Sequence, residues 1–293
     1  MPESNVVLDI RDLDVRYRTV RGDIAAVDGV DLQVKRGEIL GVAGESGCGK
    51  STMATTVLGL LRAPGYLAGG SASFGRADGT SLEILGAAES TLRRLRWRHL
   101  AYLPQGSMNS LNPVMRIHDQ FADVMLQHGW TPDNSAESES GGRSRSRSRR
   151  QAAALREHVV ELLAEVGLDP SVAEMYPHEL SGGMKQRVII AMSVALRPEL
   201  LIADEPTTAL DVMIQRVVIQ NLSDLRERLG VTMLVITHDM GVHAQLVDRV
   251  AVMSAGRIVE VGPVEQIFKR PAEPYTQDLI SSIPDLTVRE EAK

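Results

Sequence analysis

Eight consecutive residues, Gly44-Glu45-Ser46-Gly47-Cys48-Gly49-Lys50-Ser51, place glycines at the first, fourth and sixth positions and finish on a lysine and a hydroxyl. The spacing is G-x-x-x-x-G-K-[ST], and its chemistry is that of a phosphate cradle. Glycine lets the backbone curl until successive N–H groups converge on phosphate oxygens, and a helix starting near Lys50 adds its positive end. Lys50 is expected to reach the β- and γ-phosphates of a nucleotide, with Ser51 ligating Mg²⁺ and Thr52 beside it. Cys48 stands at a variable position and contributes to the loop without an assigned task for its thiol. Kinases, GTPases and helicases share this pattern, so alone it gives only a phosphate site. Further along, Leu200-Leu201-Ile202-Ala203-Asp204-Glu205 is an apolar run ending in two adjacent carboxylates. Strand alternation points their side chains in opposite directions. Asp204 can face a Mg²⁺ shell while Glu205 faces the γ-phosphate side and polarises an attacking water. A solvated turn would also put two acids after a strand.

The surrounding segments narrow this reading. Leu180-Ser181-Gly182-Gly183-Met184-Lys185-Gln186-Arg187 lies upstream, Thr207-Thr208-Ala209-Leu210-Asp211 downstream, and Val235-Ile236-Thr237-His238-Asp239 closes a later apolar run. Ser181, Gly182 and Gly183 open a helical pattern that continues to Arg197. They offer a hydroxyl, closely approachable N–H groups and a helix N-terminus, all suited to a γ-phosphate. One chain thus carries two phosphate-binding ends, which implies a second nucleotide. In order and spacing these motifs resemble the signature motif, D-loop and switch histidine of ATP-binding cassette ATPases, and the resemblance covers nearly the whole chain.

The resemblance implies a head-to-tail pair of subunits, each signature motif capping the ATP held by the other's loop. It implies nucleotide contacts from Gly44, Ser46, Gly47, Cys48, Gly49, Lys50, Ser51, Thr52 and Asp204, and from Ser181, Gly182, Gly183 and Asp211 across the pair. Tyr17, at the end of an early strand, is similar to the aromatic residue that stacks on adenine; an ordinary strand tyrosine is the alternative. Gln105 matches a glutamine that touches metal and water and lies beside the membrane subunit. Ser51, Gln105 and Asp204 are then the Mg²⁺ residues, and Glu205, His238 and Gln105 the catalytic ones, with His238 contacting the γ-phosphate and orienting Glu205. Three further stretches look like the dipeptide, oligopeptide and nickel importer branch: Gln105-Gly106-Ser107-Met108-Asn109-Ser110-Leu111-Asn112-Pro113, Tyr176-Pro177-His178-Glu179-Leu180-Ser181, and the run from Arg270 to Leu279. Two departures stand out. Many members of that branch carry a cysteine-rich tail, some with an iron–sulfur cluster; none is present here, so no cluster is expected. An acidic residue often follows the glutamine, where this chain has Gly106.

These residues need strands and helices to hold them. Short β-branched runs at 6–10, 13–18, 27–34 and 39–43 read as strands, 50–61 as a helix, and 65–79 as turns with a strand. Residues 91–167 read as mostly helical, with Leu155, Val159, Leu162 and Val166 on one face. Strand runs return at 200–203, 231–236, 249–253 and 257–261, with helices between the first three. The predicted fold is α/β: a P-loop NTPase core with a mainly parallel sheet, an N-terminal antiparallel β subdomain and a helical subdomain insertion. The single domain over 1–293 divides into a core of about 1–90 and 198–262, a helical subdomain of about 106–180 and a C-terminal extension of about 263–293.

Composition bounds the alternatives. The chain has 293 residues, 43% hydrophobic and 24% charged, an ordinary globular balance. No apolar run approaches the roughly 20 residues of a membrane-spanning helix. No secretory signal precedes Asp9, and one cysteine excludes an internal disulfide. The expected compartment is therefore the cytosol, and the resemblance implies a peripheral place on the cytoplasmic face of a membrane. Its expected partners are a second ATPase subunit, transmembrane permease subunits and, through the complex, an extracytoplasmic solute-binding protein. Residues 131–150, where serines alternate with Arg143, Arg145, Arg147, Arg149 and Arg150, read as a disordered insertion. Contact with nucleic acid or anionic lipid is its functional alternative. A soluble cassette acting on nucleic acid is disfavoured by a net charge of −6 and by the single cassette without coiled-coil or zinc insertions. An importer of nickel or another small solute stays open beside a peptide importer.

Overall fold

The computed structural model describes residues 5–132, 145–208 and 210–282. The chain opens with two long antiparallel strands, β1 (Val6–Thr19) and β2 (Gly22–Lys35), and crosses at β3 (Ile39–Ala43) into a second sheet. After helix α1 (Lys50–Val57) it returns for β4 (Gly65–Gly75) and β5 (Ser81–Glu83), completing a four-stranded sheet of order β2-β1-β4-β5. The two runs predicted at 6–10 and 13–18 are one strand. The register slips between Ile10 and Leu13, where Asp12 takes a left-handed φ of 46°. That bulge keeps Leu8, Ile10, Leu13 and Val15 all buried while Arg11 and Asp12 stay outside.

Helix α2 (Glu89–Leu95) leads to β6 (Leu100–Leu103), then α3 (Ile117–Gln127), α4 (Arg145–Glu165), α5 (Gly182–Val194) and β7 (Leu200–Asp204). The chain continues through α6 (Val212–Leu229), β8 (Thr232–Ile236), α7 (Met240–Leu246), β9 (Arg249–Ser254), β10 (Arg257–Pro263), α8 (Val264–Lys269) and α9 (Pro274–Ser281). The second sheet has the order β10-β9-β3-β8-β7-β6 and is parallel except at β10. Strands β3, β7 and β8 are buried along their whole length, as apolar strands covered on both faces must be.

Side-chain alternation divides that burial between two cores. Leu40, Val42, Leu200, Ile202, Leu234 and Ile236 face α1 and the antiparallel sheet. Ile39, Ala43, Leu201, Ala203, Met233 and Val235 face the helices, sharing a core with Phe121, Leu155, Val159, Leu162 and Val166. The molecule is thus a sheet, a second sheet and a helical layer in sequence.

Three elements differ from the sequence reading. Residues 100–103, read within a helical region, form β6 at the sheet edge, parallel to β7. A four-residue apolar run does not declare its periodicity, and the partner that decides it is a hundred residues away. Helix α1 stops at Val57, before a left-handed Gly59 with φ 63°. Helix α4 starts at Arg145, so residues 145–150 of the expected disordered insertion are helical. Arginine is a good helix former, and these residues extend a helix already anchored by the buried Leu155 stripe. The rest of that insertion from 133 to 144 lies outside the described residues, as do 283–293 of the C-terminal extension.

Candidate active site

Parallel register brings the chemistry to one edge. Ile236 pairs with both Val42 and Asp204, so β3, β8 and β7 end side by side. The loop of residues 44–49, the two carboxylates and the Thr237-His238 segment all leave from those carboxyl ends, where open α/β sheets bind ligands.

The loop is built on glycine for two separate reasons. Gly44, Gly47 and Gly49 have φ of 146°, 84° and 107°, a region that other residues rarely adopt. Gly44 and Gly49 are also crowded. A Cβ there would lie 2.1 Å from the Met253 carbonyl oxygen and 2.1 Å from that of Ala26. Because Gly49 is the N-cap of α1 and offers no side chain, the first N–H groups of that helix stay free for an anion. Lys50 is buried, and its Nζ donates to the carbonyls of Gly44 at 2.7 Å and Glu45 at 2.8 Å. The ammonium is thereby held inside the curl of the loop.

Asp204 is 1% exposed and accepts from the Ser51 hydroxyl at 3.0 Å and from Tyr102 at 3.3 Å. Burial pushes its carboxyl above the usual range, only partly opposed by those two bonds. Burial, then the Asp204 charge, pushes the Tyr102 hydroxyl up in turn. A buried carboxylate beside a hydroxyl is a pair of hard oxygen donors that suits Mg²⁺, which keeps water and phosphate as its other ligands. No cluster of three His, Cys, Asp or Glu gathers among the described residues. The donor set therefore fits a magnesium ion shared with a phosphate better than a metal caged by protein alone.

Glu205 lies past the end of β7 with φ 51°. The divergence of the two acids comes from this left-handed turn, a correction to the strand alternation expected from sequence. The turn costs roughly 1–2 kcal/mol for a residue with a Cβ. It is pinned by the Glu205 N–H donating to the Ile236 carbonyl at 2.8 Å. The carboxylate then meets a ring of donors. Oε1 accepts from the His238 N–H at 3.2 Å and lies 2.8 Å from His238 Nδ1. Oε2 accepts from Thr208 at 3.0 Å and Thr237 at 3.3 Å. Behind this segment His243 is fully buried, with Nε2 3.1 Å from the Thr237 carbonyl, and burial pushes its pKa down to about 4.

Ser181 and Asp211 act as helix caps. Ser181 accepts from the Met184 N–H at 3.3 Å to open α5, and Asp211 accepts from the Ile214 N–H at 2.9 Å to open α6. Gly182 is exposed, whereas Gly183 is buried, and a Cβ on it would meet Ile214 at 2.7 Å. Gln186 ties α5 to the carboxylate turn by donating to the Pro206 carbonyl at 2.6 Å. Lys50, Ser51, Asp204, Glu205 and His238 thus form one group, which Tyr17 joins through a 3.2 Å hydroxyl contact with Thr52. Ser181, Gly182, Gly183 and Asp211 form another. Gln105 is exposed in the turn after β6 and hydrogen-bonds to neither group among the described residues. Beside it a groove of about 510 Å³ runs between the parallel sheet and the helical layer, lined by Pro104, Leu111, Met115 and Ile189. Sequence reasoning missed Tyr102, Thr208, Thr237 and His243 as site residues. Tyr102, three residues before Gln105, and the two threonines lie inside the motif segments, whereas His243 carried no signal.

Comparison with known proteins defines the class. The ABC transporter family matches residues 27–208, and the oligopeptide/dipeptide transporter C-terminal region matches 259–293. A putative peptide import ATP-binding protein of Brucella ovis is 42% identical over 283 residues, spanning 96% of this chain and 78% of the relative. The oligopeptide transport ATP-binding protein OppD of Escherichia coli is 39% identical, spanning 97% and 77%. Its Bacillus subtilis namesake is 38% identical, spanning 96% and 72%. Among solved structures, the dimeric ATP-binding cassette MJ0796, bound to ADP and Pi in a post-hydrolysis state, superposes with a TM-score of 0.68 at 25% identity, over 88% of this chain and 98% of that one. CbiO1 of Clostridium perfringens, part of the cbiONQ ABC transporter complex, superposes with a TM-score of 0.69 at 25% identity, over 91% of this chain and 92% of that one. The chain belongs to the ABC transporter family, and its fold is that of the ATP-binding cassette.

Proposed function

We propose that this chain is the ATP-hydrolysing subunit of a peptide importer. It works as one of two cassettes on the cytoplasmic face of a membrane, beneath permease subunits that receive cargo from an extracytoplasmic solute-binding protein. The observation that carries the catalytic assignment is the 2.8 Å contact between Glu205 and His238, at the sheet edge shared with Lys50 and Asp204. Cargo class rests on the relatives, whose names specify peptide import.

In this reading Lys50 and the N–H groups at the start of α1 hold the phosphates. Ser51, Asp204 and Gln105 hold Mg²⁺, which when bound neutralises charge on the phosphates. Glu205 accepts the proton of an attacking water, and the His238 and threonine contacts fix the direction of its carboxylate. Ser181, Gly182 and Gly183 meet the nucleotide of the partner cassette. That pairing is supported by the exposed apolar side chains of Val212 and Met213, which flank Asp211 in the first turn of α6 and are 67% and 70% exposed. Permease docking is assigned to the groove beside Gln105.

Replacing Glu205 by Gln keeps side-chain shape but removes basicity. Hydrolysis is expected to fall roughly 10²- to 10⁴-fold, while Mg-ATP binding survives. Phosphate release and equilibrium nucleotide binding are measured in parallel. Parental turnover in the variant would overturn the assignment.

A further inference from the structure

The N-terminal end of β6 lies at the opposite edge of the sheet from the site above, and there the surface turns basic around a cavity of about 1150 Å³. Helix α2, the link to β6, the β4–β5 turn and the end of α3 all line it. Arg76, Arg93, Arg94, Arg96 and Arg98 face it, against the single carboxylate of Glu89.

The ion pairs decide which charges are free. Arg96 is committed to Glu89 at 2.9 Å and to the carbonyls of Leu58 and Gly59, and Arg76 is paired with Asp78 at 3.3 Å. Among the described residues Arg98 donates only to the neutral carbonyls of His128 at 2.6 Å and Gly129 at 3.1 Å. Arg94 donates to the Thr91 hydroxyl at 3.2 Å, and Arg93 has no ion pair among the described residues. Three guanidinium groups therefore line the cavity with no carboxylate partner among the described residues. Their field reaches His128, whose pKa is pushed down first by burial and then by Arg98 and Arg93.

An aromatic wall completes the cavity. The Trp97 ring lies 5.9 Å from that of His128, tilted by 36°. Trp97 has φ 69°, a left-handed conformation rare for a bulky residue, and its N–H donates to the Leu100 carbonyl at 2.7 Å to keep it. Backbone strain of this kind is tolerated where it aims a side chain at something.

We infer that this cavity is a second anion site, distinct from the loop at residues 44–51, which takes a phosphate-bearing ligand on Arg93, Arg94 and Arg98 against the Trp97–His128 wall. Guanidinium forks match phosphate oxygens pairwise, and the cavity is large enough for a nucleoside polyphosphate or a phospholipid headgroup. Strand β6 is only four residues long, so the cavity and Gln105 stand at the two ends of one strand.

The test uses the full chain in a Lys50→Ala, Trp130→Phe background, which weakens the loop site and leaves Trp97 as the sole tryptophan. Its fluorescence is titrated with inorganic triphosphate in one arm. In the other arm it is titrated with phosphatidylglycerol-containing vesicles and, for comparison, with pure phosphatidylcholine vesicles. Arg93→Glu with Arg94→Glu supplies the control, since both side chains are exposed on α2 and circular dichroism verifies the fold. A saturable change with triphosphate that weakens about tenfold or more on charge reversal establishes a site for a free phosphate compound. The same behaviour confined to the anionic vesicles establishes a headgroup site. If both arms are flat, or if charge reversal leaves either response unchanged, the proposal fails.

Discussion

His243 and Asp204 are both buried titratable groups that feel the charge of Glu205, yet acid acts on them in opposite directions. His243 has a folded pKa near 4 against 6.5 for the free side chain, because burial disfavours the imidazolium. Its contribution to stability is complete above about pH 6.5 and is lost as pH falls toward 4, at up to about 1.4 kcal/mol per pH unit. Asp204 has a raised folded pKa, again from burial, so its ionisation opposes folding as pH rises above 3.8. Denaturation midpoints of the parent and of His243→Gln, measured from pH 7 to pH 5, should diverge, with the parent losing stability more steeply. Parallel curves would show that His243 is not held neutral. The sequence announced Asp204 by its place after an apolar run but gave no sign of His243, whose burial depends on α7 packing over Gly41. A Cβ on that glycine would lie 2.4 Å from His243 Nδ1, a closeness visible only when the chain is folded.

Among elements, α5 and α6 approach closely at Gly183. Gly183 has room for hydrogen alone, because Ile214 of α6 occupies the space of a Cβ at 2.7 Å. Gly183→Ala is expected to shift the first turn of α5 by a few tenths of an ångström or displace Ile214, at a cost of about 1–3 kcal/mol. Nucleotide binding at the chain's own loop should be retained while hydrolysis by the pair falls; equal losses in both would show that the glycine serves folding only. Elements themselves were legible to the degree that their burial was uniform. The apolar runs of β3, β7 and β8 are buried on both faces and stood out plainly. In contrast, β6 depends on pairing with β7, and the continuity of β1 depends on a bulge at Asp12, neither of which leaves a local periodicity. The candidate-site segments were readable as motifs because each is short and contiguous. What joins them, from Tyr102 to Asp204 and from Thr208 to Glu205, is contact across the fold or around a turn whose left-handed φ could not be anticipated.

At the scale of the molecule, the proposed function makes the working unit a pair, because it assigns the loop at 44–51 and the segment at 181–183 to two different nucleotides. Turnover should rise with more than the first power of protein concentration until the pair saturates. The measurement is initial phosphate release across a dilution series, alongside the mass in solution. Turnover per chain that stays constant down to a demonstrated monomer would remove the requirement. The 2.6 Å bond from Gln186 to the Pro206 carbonyl has a consequence for such a pair. It fastens the helix that opens at Ser181 to the backbone immediately after Glu205. In the proposed pair, a subunit that tilted to meet its neighbour's nucleotide would carry the backbone beside Glu205 with it. The two chemical cycles would then be geared, and a lesion in one subunit would be read in the timing of the other.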